Sequence, residues 1–330
     1  MAMDSLKQEI LRTLIYFDVF KHPLTLVEIY KWLNVADCPR IKHADSSQMT
    51  PAYLPAQLAG RREWLADIEE SLSQMSDKVG SKDGFYFLKG RDEIVQTRLS
   101  RYNISEEKFK RARKFIKVLR FIPFIKCLIV VNRLGYSNVH QNSDIDLAAI
   151  VKKNRLWLTR FLAVGLLSVL KVRPRQINRA LAIDLNFFIS EDKLNLESLV
   201  RSEAYVFPYW LNQFIPVYDD GVFGRFISEN QWLKKYLPNS FAYQLNQRRT
   251  VSTGPTVESV KWLIGLLIDW DFMERWAEKY QWKIMPTELK SLVNQDREVI
   301  INKEMLKFHQ GESWRNLKVV LEERMAEMSI

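Results

Sequence analysis

The chain has 330 residues and a formal net charge of +10. At 47% hydrophobic and 27% charged it has the balance of a core-forming globular protein, which excludes a disordered chain. Its two cysteines, Cys38 and Cys127, exclude a disulfide scaffold and a zinc cluster, and a cytoplasmic location is expected. The surplus of Lys and Arg suits polyanionic partners such as nucleotides or RNA, and equally a merely basic surface.

The first residues, Met1-Ala2-Met3-Asp4-Ser5, lack the charged-then-apolar form of a secretory signal. Ser5 to Phe20 follows a helical apolar period, with Leu6, Ile10, Leu14 and Phe17 on one stripe. Thr25-Leu26-Val27-Glu28 is a capping box, so a second helix runs to about Leu33. Residues 34 to 60 are polar and irregular, with Pro39, Pro51 and Pro55. A third helix is predicted over Arg61 to Met75, and a hairpin over Val79 to Leu88 turning at Asp83-Gly84. Three helices followed by a hairpin is the order of a winged helix, which assigns residues 1–104 to one domain. Its third helix carries Asp67, Glu69 and Glu70, a poor match to a phosphate-lined groove, so duplex DNA is an unlikely partner.

Ser105 to Arg120 is predicted helical, with Phe109, Ala112, Ile116 and Leu119 inward. Seven bases lie between Lys108 and Arg120, forming either a solvated face or a basic wall that guides a nucleotide or RNA. An apolar strand, Phe124 to Val131, follows. Next comes Asn142-Ser143-Asp144-Ile145-Asp146-Leu147-Ala148-Ala149-Ile150, whose strand period puts Asp144 and Asp146 on one face. Paired carboxylates repel each other, and a hard divalent cation compensates them. Leu181 to Phe188 is another strand, carrying Asp184 and Asn186 on one face. No acid lies between Asp146 and Asp184, while Lys152, Lys153, Arg155, Arg160, Lys171, Arg173, Arg175 and Arg179 do. The apolar run inside that interval, Phe161 to Leu170, is half the length of a membrane span. It fits a buried crossover helix, and no membrane partner is expected.

Ser143-Asp144-Ile145-Asp146-Leu147 resembles the SDxDL signature of the nucleotidyltransferase domain of the DNA polymerase β superfamily, over roughly residues 105–190. The resemblance implies two Mg²⁺ ions held by Asp144, Asp146 and Asp184, with Asp184 also helping to deprotonate an attacking hydroxyl. It implies an NTP as substrate, with Asn132, Arg133 and Ser143 beside its phosphates. The family has a Gly-Ser pair where this chain has Asn132-Arg133, so the metal half of the pattern is kept and the phosphate half is altered. An Asn tolerates unusual backbone angles, and an Arg can contact phosphate or fill the pocket. The acceptor stays open between an RNA, a protein and a small molecule. A module that keeps the fold without transfer is the alternative.

Residues 191–330 are expected to be mostly helical: Leu194 to Phe214, Phe223 to Tyr236, a long helix Val257 to Tyr280, Glu298 to His309, and Ser313 to Met328. Asp219-Asp220 is read as the N-terminus of the helix before Phe223 rather than as a metal pair. The four histidines are scattered and form no ligand pair. The expected fold is therefore α+β: a small mixed-sheet nucleotidyltransferase domain, 105–190, between a winged-helix-like domain, 1–104, and a helical domain, 191–330.

Overall fold

The computed structural model describes residues 2–34, 56–174, 180–200, 206–240, 246–295, 299–308 and 313–328. Most of the irregular 34–60 stretch lies outside these, as do Arg175, Arg179, Cys38, His43 and His309. The chain is a mixed α/β protein. No helix among the described residues is long and apolar enough to cross a membrane.

The first part runs α1 (Ala2–Val19), β1 (Leu24–Thr25), α2 (Leu26–Trp32), α3 (Ala56–Ser73), β2 (Val79–Lys82) and β3 (Phe85–Leu88). Thr25 caps α2 as its sequence requires: the Glu28 N–H donates to Thr25 Oγ1, and Thr25 N–H donates to Glu28 Oε2 at 2.9 Å. Asp83 and Gly84 take left-handed angles and turn β2 into β3. β1 completes a three-stranded sheet in the order β1-β3-β2.

Helix α4 (Glu93–Leu119) is one unbroken 27-residue element. It begins twelve residues before the predicted Ser105, so position 104 falls inside it. The polar stretch before Ser105 hid its start, since its only buried apolar residues are Ile94 and Val95. Then follow β4 (Ile125–Val130), α5 (Asn132–Gly135), β5 (Ile145–Val151), α6 (Leu156–Val169) and β6 (Ile183–Ser190). β4 and β5 are antiparallel; β5 and β6 are parallel, joined by α6.

The remainder is less helical than its sequence suggests. It comprises α7 (Val206–Leu211), β7 (Ile215–Asp219), α8 (Phe223–Glu229), α9 (Pro255–Ile268), α10 (Asp271–Ile284), α11 (Thr287–Ser291), β8 (Val299–Ile301), β9 (Met305–Phe308) and α12 (Ser313–Glu327). The helix expected over Glu298 to His309 is instead the hairpin β8–β9. Val299, Ile300 and Ile301 are β-branched, and Asn302 accepts from the N–H groups of Glu304 and Met305 to make the turn. The helix expected over Val257 to Tyr280 breaks at Asp269-Trp270, where Asp269 is held by Lys152 and Arg155 at 2.5 Å. β7, β8 and β9 all join the main sheet, whose order is β7-β4-β5-β6-β9-β8. Asp219 does cap α8, accepting from the N–H groups of Val222 and Phe223 at 3.0 Å.

The first and last parts share a core. Tyr209 of α7 and Leu321 of α12 are buried among Ile10, Phe17 and Trp32. Tyr16 stacks on Tyr209 at 4.2 Å, and Asp18 binds Arg91 and Arg324.

Candidate metal centre

Parallel pairing of β5 with β6 sets Asp146 directly opposite Asp184. Asp144 lies one residue before β5, two positions from Asp146 on the same side. One carboxylate oxygen from each of Asp144, Asp146 and Asp184 lies within 4.8 Å of the others. All three are partly buried. Their neighbours Ile145, Leu147, Ile183 and Leu185 point into the core, which fixes the strand faces.

Gathering the acids raises the proton affinity of Asp146 and Asp184. Burial, then Asp144, then Asp184 push Asp146 up to about 7, against a hydrogen bond from Asn132. Asp184 is also raised, by burial first and then by Asp144. Asn186 Nδ2 donates to Asp184 Oδ2 at 2.8 Å, and the charges of Arg160 and Arg173 oppose the rise. Three hard oxygen donors gathered in partly buried space suit a hard divalent cation.

Asp144 and Asp146 border a cavity of about 510 Å³, and Asp184 stands behind them without lining it. Asp144, Asp146, Ser143, Asn132 and Arg133 line it, with Phe20, Tyr136 and Trp210 as aromatic walls and Asn316 of α12 at one side. Asn132 takes the left-handed angle, φ 57°, at the start of α5, the conformation glycine otherwise serves. Its Oδ1 accepts from Trp210 Nε1 at 2.7 Å. Arg133 is one of the lining residues, its guanidinium 5.7 Å from the Phe20 ring centroid. Gly135, out of register for phosphate contact, has a packing reason, because a Cβ there would overlap the Gln213 carbonyl oxygen. Ser143 Oγ accepts from the His140 N–H at 3.2 Å.

The basic crossover divides. Lys152 and Arg155 turn to Asp269, and Lys153 to Asp192. Arg160 and Arg173 are the crossover bases whose charge reaches Asp184. Arg160 lies 4.1 Å from the Phe308 ring centroid and donates to Gln281.

Lys108 was grouped with the surface bases, yet it is buried. Its ammonium donates to the carbonyls of Gln141 at 3.1 Å, Ser143 at 2.5 Å and Ala180 at 2.6 Å. It thus ties together the two segments that lead into Asp144 and Asp184. The signal was its place four residues before Ala112, on the buried stripe of α4. Arg101 and Asn138 likewise moor the 132–143 loop to the Phe20 carbonyl.

No family model, no curated protein and no solved structure matches the chain.

Proposed function

We propose that this chain is a nucleotidyltransferase of the polymerase β-like kind, moving a nucleoside monophosphate from an NTP to an acceptor hydroxyl. The observation that carries this is the meeting of Asp144, Asp146 and Asp184 beside a cavity of nucleotide size. Asp144, Asp146 and Asp184 would hold Mg²⁺, which when bound would neutralise phosphate charge and polarise the reacting oxygens. The acceptor oxygen forms a bond to the α-phosphorus, the bond to the β-phosphate bridging oxygen breaks, and pyrophosphate leaves. Asp184 takes the acceptor's proton; its raised proton affinity suits it to that role. Arg133 and Asn132 would face the phosphates, and Tyr136, Phe20 and Trp210 offer flat walls for a base.

Residues 1–104 would be a winged-helix-like unit that packs on protein rather than duplex DNA, and 191–330 a largely helical addition to the 105–190 nucleotidyltransferase unit. The acceptor would be an RNA, a protein or a small molecule, and the setting the cytoplasm.

The direct test is release of pyrophosphate from ATP, CTP, GTP and UTP with Mg²⁺, comparing wild type with Asp146→Ala. The proposal expects release by wild type and a fall of about 10³-fold or more in the variant. An active preparation in which the variant keeps its rate sinks it.

A second reading rests on Asn132-Arg133, which stand where the family has Gly-Ser. With Arg133 placed over Phe20, the chain would bind a nucleotide without transferring it. Calorimetry that finds NTP binding with no transfer to any acceptor selects this module.

A further inference from the structure

Helix α9 faces the wrong way round for a globular protein. Its inner side carries Lys261, only 7% exposed, whose ammonium binds the Ile125 carbonyl, Tyr218 Oη and Asp220. Its outer side carries Trp262 at 67% exposure, Leu267 at 71%, and Leu263 and Leu266, each more than half exposed, and Trp270 just beyond its end is exposed too. These residues recur at the spacing helices use for a buried stripe. Between Trp262 and Ile268 the helix has no charged residue. The following helix, α10, adds exposed Phe272, Trp276 and Tyr280. So many neighbouring large apolar side chains in water mark an interaction surface.

The charges on α10 say what covers it. Its acids are turned mostly inward: Glu274 accepts from the Trp157 and Leu158 N–H groups, Glu278 is half-buried, and Asp271, though exposed, binds Arg155. Its bases face out: Arg275, Lys279 and Lys283 are exposed at four-residue intervals and make no ion pair among the described residues. Like charges at that spacing repel along a helix, and an anionic surface relieves them. Bases among Trp, Phe and Tyr, beside an uncharged Leu/Trp stripe, are the make-up of a helix that lies in a bilayer interface.

We infer that α9 and α10 dock this protein on an anionic membrane surface, α9 entering the interface and α10 meeting the headgroups. The protein lies on the bilayer rather than crossing it. No membrane partner is expected from the sequence alone, because the α9 stripe passes for core until its exposure is seen. The inference does not depend on the nucleotidyltransferase reading.

The test is flotation of the full chain with vesicles of phosphatidylcholine alone or with roughly one quarter phosphatidylglycerol. The anionic vesicles should bind at least about tenfold more tightly, and salt should weaken them. Each base near the surface contributes about fivefold, so Arg275→Glu with Lys279→Glu and Lys283→Glu should lose about a hundredfold or more. Leu263→Ser with Leu267→Ser should abolish binding to both vesicle types while the circular dichroism stays that of wild type. Absence of binding by folded wild type overturns the inference. So does retained binding in the charge-reversed variant. A stable dimer in sedimentation that the Leu263→Ser, Leu267→Ser pair dissociates would assign the face to self-association instead.

Discussion

The sheet edge that carries Asp144, Asp146 and Asp184 and the outer face of α9 treat water in opposite ways. At the edge, three carboxylates sit in partly buried space, held by groups of the protein itself: Lys108 behind the loops, Asn132 beside Asp146, Asn186 beside Asp184. On α9, Trp262 and Leu267 are mostly exposed among the described residues. Both arrangements are poor for folding alone. The first has its supports built in and suits something small and positive, whereas the second suits an entire covering surface. The difference in scale is what separates a ligand site from a docking face.

The sharpest way to break this comparison is to remove the internal support. Lys108→Met leaves three part-buried carbonyls without their ammonium, and a loss of roughly 3–5 kcal/mol is expected in denaturant unfolding. A loss under about 1 kcal/mol would show that Lys108 does not hold the edge.

The charge gathering itself has a pH signature. An unfolded aspartate titrates near 4, and folded Asp146 near about 7. Between those values the folded chain binds the proton more tightly, so in chelator its stability falls as pH rises from about 4 to about 7 and stays low above. The Asp146 contribution is on the order of 2–4 kcal/mol. Asp146→Asn should remove that slope and raise the melting temperature at pH near 8 in chelator. Mg²⁺ should stabilise wild type at that pH and much less near pH 5, where protons compete. A wild-type-to-variant difference that does not change with pH would break this account.

Gly135→Ala presses a methyl group onto the Gln213 carbonyl, and about 1–3 kcal/mol of stability should go with it, alongside weaker Mn²⁺ binding as the 132–143 loop shifts. Unchanged stability would mean that α7 yields easily. The smallest effect is expected on the other region: Leu267→Ser should shift unfolding by no more than about 0.5 kcal/mol, because the side chain is exposed. A larger loss would mean that α9's outer face is packed in solution.

Local chemistry made much of the site legible. The period of two through Asp144, Ile145, Asp146 and Leu147, and again through Asp184 and Asn186, needs no distant partner to be read. The Thr25–Glu28 box and the Asp83-Gly84 turn are equally self-contained. What stayed hidden depends on contacts far along the chain. Val299-Ile300-Ile301 is a short apolar run that suits strand or helix, and pairing with β9, itself on β6, decides it. The α9–α10 break rests on Lys152 and Arg155, more than a hundred residues earlier. Lys108 could not be told from its basic neighbours until the carbonyls of Gln141, Ser143 and Ala180 were in place.

The contact between Asp18 and Arg324 spans 306 positions. A ribosome building this chain completes the acid-bearing strands well before α12, the helix that walls one side of their cavity, emerges. The pocket is thus the last part of the molecule to close, and a nascent chain stalled after β9 would present its carboxylates through an open side to any cation or nucleotide in the surrounding fluid.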